Sequence, residues 1–345
     1  MAALLAAPLA GLVLGGTPSA QADTDPNLTI TSVVLNRTAV AVSGLNTYPI
    51  GVTVKGGYKT TEPGDPNVVL NVVLDRTGGT GGVRHMVSAD LKRMAGPQEG
   101  GTWTGTLNVA STANGTFKVT GVMTGPFGAP DPGTPIDPTP FAGQTVTVTG
   151  THQPKLTASV IPKVVPVGKS YSIRWAVTDA QTGKAYGSRL TVGLGVDTPC
   201  AEGGAPLYRT DTNGIVTKAY LATDANALNC LQVPGKPYVI AGQGLFVARS
   251  GAVTAGPAKT SAPVGSIVPV NGTVAGGPAS CPVNLQRLYG ATQWRTVGTA
   301  KVRSSGRFTV NAQPAYKGQI PYRVSFPKCY EFVAGLSKAF SIRGT

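Results

Sequence analysis

The sequence has few of the residues on which most enzymes depend. Its 345 residues include only two histidines, His85 and His152, and charged residues make up 13% of the chain. A Ser-His-Asp triad requires a histidine base, and the chain has no G-x-S-x-G turn to hold a nucleophilic serine. These absences predict a protein that is not an enzyme, with no catalytic residues.

The acidic residues do not suggest a catalytic pair either. Glycoside-cleaving enzymes place two carboxylates across a cleft, whereas the acids between residues 60 and 100 are scattered, mostly through turns and strand ends. They are Glu62, Asp65, Asp75, Asp90 and Glu99. We therefore keep a carboxylate-dependent enzyme that acts on polysaccharides, or an accessory module of one, only as the alternative function.

Signals for metals and cofactors are also missing. There is no C-x-x-C pair, and two histidines are a poor supply of zinc ligands. The segment DRTGGTGGVR (75–84) lacks the G-K-[ST] ending of a phosphate loop and is better interpreted as a hairpin loop. Asp211 and Asn213 could offer oxygen ligands to calcium, but Asp-x-Asn-Gly is first of all a turn signature. We predict no metal and no cofactor.

Long hydrophobic runs are absent after the first 18 residues. That initial run ends in Ala20-Gln21-Ala22, which is typical of a secretory cleavage site, so we predict a signal peptide at 1–22. The basic n-region is missing, because the first basic residue is Arg37, and we expect the natural start to lie upstream. The rest of the chain has no segment long enough for a membrane span. We therefore predict a secreted or cell-surface protein.

The four cysteines fit an exported protein. An even number in an oxidising compartment favours disulfides. Of the three connectivities that four cysteines allow, we prefer the one within candidate domains, Cys200–Cys230 and Cys281–Cys329.

What the chain has in quantity is turn residues and alternation. It contains 46 glycines and 28 prolines, with 41% hydrophobic residues. Apolar residues alternate with polar or small ones, as in Tyr171, Ile173, Trp175 and Val177, and we find no long stretch with a helical period. Turn signals such as Ser304-Ser305-Gly306 separate these runs. The pattern predicts an all-β protein of sandwich or barrel type.

A weak internal repeat places the domain boundaries. PKVVPVGKSYSI (162–173) and AKTSAPVGSIVPV (258–270) both resemble a linker that enters a first strand. We therefore predict three domains, at 23–151, 152–253 and 254–345, each an Ig-like sandwich. The proline-rich segment 125–140 is interpreted as a long loop before the last strand of the first domain, GQTVTVTG (143–150).

The third unit resembles the Ig-like repeats found in tandem in secreted and surface proteins of high-GC Gram-positive bacteria, the actinobacteria. The resemblance lies in Leu285-Gln286-Arg287, Trp294 with Val297, Gly306-Arg307-Phe308 and Tyr322-Arg323-Val324. The first and second units are similar more loosely. The resemblance implies tandem β-sandwiches, with Trp294, Phe308 and Tyr322 as core anchors and Gly306 in a hairpin, and it implies no catalytic residues.

Charge is unevenly placed along the chain. The net charge is +14, and residues 251–345 hold eleven Lys and Arg against one acid, Glu331, for a net +10. Such a module attracts polyanions. The candidate contact residues are Arg287, Arg295, Lys301, Arg303, Arg307, Lys317 and Arg323. Arg287 and Arg323 are predicted within strands, and Arg303 and Arg307 beside a hairpin.

These observations support a non-catalytic extracellular protein that binds a partner or serves as a spacer. The expected partner is an anionic cell-wall polymer, a polysaccharide or an extracellular protein, and no specific nucleic-acid-binding motif is present. An inert structural spacer without any ligand is the remaining alternative.

Overall fold

The computed structural model describes residues 25–59, 68–125, 137–197, 200, 204–235 and 238–345. The predicted signal peptide and most of the proline-rich segment 125–140 lie outside these ranges, as do Glu62 and Asp65. In the described part of the chain, the structure is built of β-strands with three short 3₁₀ turns, at Gln98–Gly100, Ser111–Ala113 and Ala222–Asn226. The all-β prediction is confirmed.

The first sandwich consists of two sheets in which most neighbouring strands are antiparallel. One sheet has the order β1-β3-β7-β6, and the other has the order β2-β10-β8-β4-β5, with β9 added to β8. The strands are β1 (Leu28–Leu35), β2 (Ala39–Ser43), β3 (Thr47–Tyr58), β4 (Leu70–Gly78), β5 (His85–Val87), β6 (Lys92–Ala95), β7 (Gly101–Ala110), β8 (Gly115–Thr124), β9 (Thr139–Pro140) and β10 (Thr145–Thr151). The segment 75–84 contains the end of β4 and the turn that joins it to β5 as a hairpin.

The second sandwich has the sheets β11-β12-β15 and β14-β13-β16-β17. Its strands are β11 (Pro154–Ile161), β12 (Tyr171–Asp179), β13 (Thr191–Val196), β14 (Leu207–Arg209), β15 (Ile215–Tyr220), β16 (Asn229–Val233) and β17 (Ala241–Leu245). The Asp211 carboxylate accepts hydrogen bonds from the amides of Asn213 (2.9 Å) and Ile215 (2.8 Å), so this segment forms the turn that its sequence indicated.

The third sandwich has the sheets β18-β20-β23 and β19-β26-β24-β21-β22, with β25 added to β24. Its strands are β18 (Val253–Pro257), β19 (Ser261–Ala262), β20 (Val268–Val274), β21 (Pro282–Tyr289), β22 (Gln293–Lys301), β23 (Arg307–Ala312), β24 (Gly318–Phe326), β25 (Gly335–Leu336) and β26 (Phe340–Gly344). The predicted hairpin at Gly306 is wrong. Strands β22 and β23 belong to different sheets, so the turn between Arg303 and Arg307 crosses from one sheet to the other.

The strand order identifies all three units as Ig-like sandwiches. In each unit, the strands that correspond to A, B and E of that fold form one sheet: β1, β3 and β7 in the first unit, β11, β12 and β15 in the second, and β18, β20 and β23 in the third. The strands that correspond to C and F pair in the other sheet: β4 with β8, β13 with β16, and β21 with β24. In the first and third units, a short strand also pairs parallel with the last one, β2 with β10 and β19 with β26. The limits of independently folding domains, near 152 and 254, remain predictions.

Each sandwich closes over its own cluster of buried side chains. The clusters lie within 28–148, 165–247 and 253–342 and contain the inward residues of alternating strands. Phe308 and Tyr322 are buried core residues as predicted, but Trp294 is not. Its strand, β22, is at the edge of its sheet, and its indole lies beneath the guanidinium of Arg323, 4.4 Å from the ring centroid. The prediction that Trp294 is a core anchor is therefore wrong.

Both disulfides have the predicted pairing. Cys200 is bonded to Cys230 with their Cα atoms 5.4 Å apart, and Cys281 to Cys329 at 6.1 Å. The second bond joins the residue just before β21 to the loop after β24. Neither bond has the B-to-F position of antibody domains.

The segment between the second and third sandwiches is hydrogen-bonded on both sides. On one side, the amides of Val165 and Ser250 donate to the carbonyls of Ala248 and Val165. On the other, the Arg249 amide donates to the Glu331 carbonyl (2.8 Å). The Arg249 guanidinium also lies over the ring of buried Phe332, 4.2 Å from its centroid. These contacts tie the connection to both neighbours.

Candidate polyanion-binding surface

The third sandwich brings two of the seven predicted basic residues together on one face. Arg287 on β21 lies directly opposite Arg295 on β22, and both guanidinium groups lie over the ring of Tyr289, at 4.4 and 4.9 Å from its centroid. Because successive strand residues point to opposite faces, Arg287 shares its face with its other cross-strand neighbour, Tyr322. Arg287 and Arg295 therefore continue the core-facing side of the sheet beyond the buried residues.

Arg323 lies on the opposite face of the same sheet. Its Nε donates a hydrogen bond to the Gln286 side chain (2.8 Å), and its guanidinium packs on Trp294. Aromatic rings thus support three arginines of the predicted set. Cation–π contacts of this kind hold a guanidinium in place without neutralising it.

The other predicted residues lie elsewhere. Arg303 and Arg307 flank the turn into β23, and Arg303 donates a hydrogen bond to Thr309 (3.0 Å) on the other sheet. Lys301 ends β22, and Lys317 precedes β24. The seven residues therefore do not share one face. Within the described ranges, the ion pairs of the molecule involve none of the seven.

Arg287 affects the pKa of a buried tyrosine, Tyr322, which lies opposite it on the neighbouring strand. Burial raises the pKa of the Tyr322 hydroxyl, although the charge and hydrogen bond of Arg287 act in the opposite direction. The same hydroxyl donates to the Gln313 carbonyl (3.1 Å), nine residues upstream, in the manner of the tyrosine corner of Ig-like domains. Arg287 is thus supported by a residue that the core holds rigidly, which sequence patterning alone did not indicate.

The acids of the first sandwich have partners of their own. The Asp75 carboxylate pairs with His85 Nδ1 at 2.6 Å on the exposed β4–β5 hairpin, and Asp90 accepts a hydrogen bond from Asn71 (2.9 Å). Glu99 lies in the turn before β7. In the described residues, no group of three or more His, Cys, Asp or Glu side chains could hold a metal ion.

His152 marks the connection between the first two sandwiches. It lies between β10 and β11 with a left-handed backbone (φ 51°), and its Nδ1 is 2.7 Å from the buried carboxylate of Asp179. Burial would raise the pKa of Asp179, but hydrogen bonds from His152, the Gln181 amide and the Thr182 hydroxyl, with the charge of His152, lower it to about 2.

This lowered pKa predicts how acid acts on the connection. Since the folded pKa is about 2 and the ordinary value is 3.8, the stabilisation is present above pH 3.8 and is lost as the pH falls toward 2. We expect Asp179→Asn to lower the urea midpoint at pH 5–7, and the difference from the unaltered chain to shrink as the pH falls through about 2. A difference that did not depend on pH would contradict this account.

No helix in the described ranges is long and apolar enough to span a membrane.

Comparison with solved structures shows distant likenesses. Neither a protein-family model nor a curated protein sequence matches the chain. Among solved structures, the D1–D4 ectodomain fragment of ICAM-5 is similar over 91% of this chain and 76% of its own, at 12% identity and a TM-score of 0.34. The Escherichia coli adhesin FdeC is similar over 91% and 96%, at 14% identity and 0.27. The D0–D1 domain of intimin covers 55% of this chain and 97% of its own, at 13% and 0.22. At these low scores, the assignment of the fold rests on strand order.

Proposed function

We propose that this is an exported, non-catalytic binding protein that associates with anionic cell-wall or matrix polymers through its third sandwich. The observation that carries the proposal is the packing of Arg287, Arg295 and Arg323 on aromatic rings rather than on carboxylates. Residues 251–345 contain one acid, so little of the +10 charge is compensated within this unit. A positively charged surface of this kind raises the local concentration of polyanions.

Two further features support an extracellular site of action. The two disulfides are of the kind that persists in oxidising compartments. The predicted signal peptide would deliver the chain to the same environment. Membership of the tandem Ig-like proteins of actinobacteria is part of this proposal and rests on the sequence resemblance alone.

The test is binding of the full chain to purified Gram-positive cell walls across a salt series. We expect the apparent affinity to fall about tenfold or more between 50 and 300 mM NaCl, because screening weakens contacts between exposed charges. A variant with all seven basic residues changed to glutamine should lose most of the binding. Binding to the walls that did not depend on ionic strength, or that persisted in the variant with seven substitutions, would contradict the proposal.

A structural spacer is the second candidate, favoured by the connection at Arg249. A segment that hydrogen-bonds to both neighbouring sandwiches holds them in a fixed relation, as a spacer requires. A spacer would show the same rigidity but no salt-sensitive binding to walls, so the salt series separates the two. The enzyme alternative would require that Asp75→Asn or Asp90→Asn abolish turnover of a polysaccharide.

A further inference from the structure

A groove opens beside Arg287 at one end of the third sandwich. It has a volume of about 390 Å³, and its walls include Val264, Ile267, Val297, Asn311 and Gln313. The apolar members are well exposed, with 67% of Ile267 and 43% of Val264 accessible to solvent. Val297 enters the wall because β22 has a bulge there, between its pairings with Leu285 and Gln286.

The groove combines an apolar wall with an uncompensated cation. Arg287 lines it, half-buried and hydrogen-bonded to the Tyr289 hydroxyl. Arg295 lies close by, since both guanidinium carbons are within 5 Å of the same ring centroid. Asn311 and Gln313 add amide groups to the lining of the groove, and Gln313 Nε2 donates a hydrogen bond to the Gly265 carbonyl (2.6 Å). Because residues 251–345 contain one acidic residue, Glu331, these cations are available to an oxyanion.

The composition of the groove favours a saccharide over a nucleic acid. Proteins that bind single-stranded nucleic acids stack bases on open aromatic faces, and none of the described residues that line this groove is aromatic. The nearby ring of Tyr289 already carries Arg287 and Arg295, and the ring of Trp294 lies under Arg323 on the opposite face of the sheet. Aliphatic walls can instead cover the C–H surface of a sugar ring, while amides bind hydroxyls.

We propose that the groove, with Arg287 and Arg295, is a discrete site for one acidic unit of a saccharide polymer, whose carboxylate or phosphate pairs with the two guanidinium groups. This inference rests on the proposed function and narrows it from a charged surface to one site. Arg303 and Arg307, which carry the same charge at the turn into the other sheet, lie outside it.

The test compares two full-length double variants of equal charge, R287Q/R295Q and R303Q/R307Q. Kd is measured by titration calorimetry with polygalacturonate, with a ribitol-phosphate polymer and with single-stranded DNA. The first two probes distinguish a carboxylate from a phosphate as the anion. We expect R287Q/R295Q to weaken saccharide binding about tenfold or more and R303Q/R307Q about threefold or less, because loss of a charge-assisted contact exceeds a change in net charge.

Further variants protect the result against misfolding. Arg295 and Ile267 are exposed, so R295Q and I267S should fold normally, and each should weaken binding about threefold or more. Equal losses in both double variants would overturn the site but leave the proposed function standing. Absence of binding by the unaltered chain would overturn both. Tighter binding of DNA, with the same dependence on Arg287 and Arg295, would overturn the assignment to a saccharide.

Discussion

Replacing Trp175 by alanine is expected to lower the free energy of unfolding of the second sandwich by about 3–5 kcal/mol. The indole is fully buried, and its Nε1 donates to the Tyr220 hydroxyl at 3.2 Å. Tyr220 in turn stacks on Tyr171, with 5.3 Å between ring centroids, and Tyr171 donates to Asn229 at 3.0 Å. The substitution therefore opens a cavity and leaves a buried hydroxyl without its donor. A loss of this size is a large part of the stability of an ordinary domain.

Hydrogen exchange followed by mass spectrometry across a urea series is the appropriate measurement, because it reports β12 and β15 separately from the other sandwiches. Trp294→Ala is the matched control. Its indole lies on an outer face under Arg323, so we expect a change within about 1 kcal/mol. Equal effects of the two substitutions would contradict the placement of Trp294 outside the core.

Removing the Cys281–Cys329 disulfide is expected to destabilise the third sandwich by about 4 kcal/mol on the chain-entropy scale, since the bond closes a loop of 48 residues. The double variant C281A/C329A should have a second effect. Cys329 pairs with Phe332 in an isolated bridge, and Phe332 packs under Arg249 at the connection to the second sandwich. We therefore expect faster exchange of the Arg249 and Val333 amides, both of which bond across this connection.

The other disulfide supplies the control for this prediction. C200A/C230A removes a bond of sequence separation 30 and should destabilise the second sandwich by a similar amount, about 3.6 kcal/mol. It should leave the protection of Val333 unchanged, because the Val333 amide donates to the Arg249 carbonyl, and the cysteine that pairs with Phe332 beside it is Cys329. Loss of protection at Val333 in both variants would indicate general loosening rather than a specific link.

The two connections between sandwiches bear on the function proposed. Thr112 donates to the Ile240 carbonyl at 2.7 Å, and Leu45 and Ala110 pack against the second core, so the first connection is also a packed one. A chain whose units contact each other in this way can present a binding surface at a defined distance from its other end. A binding protein and a spacer therefore both fit this arrangement of the sandwiches. The two hypotheses differ in whether the protein has a ligand.

Local sequence determined the strands and the class of fold. Alternation places Tyr171, Ile173, Trp175 and Val177 on one face of β12, and all four are buried. This works because the side-chain period of a strand is two and one face of each sheet is covered. The excess of positive charge after residue 250 was available from the sequence, since it depends only on residue type and position along the chain. The cysteine pairing was chosen among three connectivities from the predicted domain boundaries, and the structure confirms that choice.

Tertiary structure alone decided which face of an edge strand is covered and which distant residues meet. Alternation cannot tell that Trp294 points away from the core, because a period of two groups residues by face without saying which face another sheet covers. The turn at Gly306 has the same local chemistry whether it closes a hairpin or crosses between sheets. The meeting of Arg287, Tyr289 and Arg295, and of Arg249 with Phe332, depends on strand register and on contacts far apart in the chain. Such non-local pairings are chosen by packing of the whole sandwich, which no short window of sequence contains.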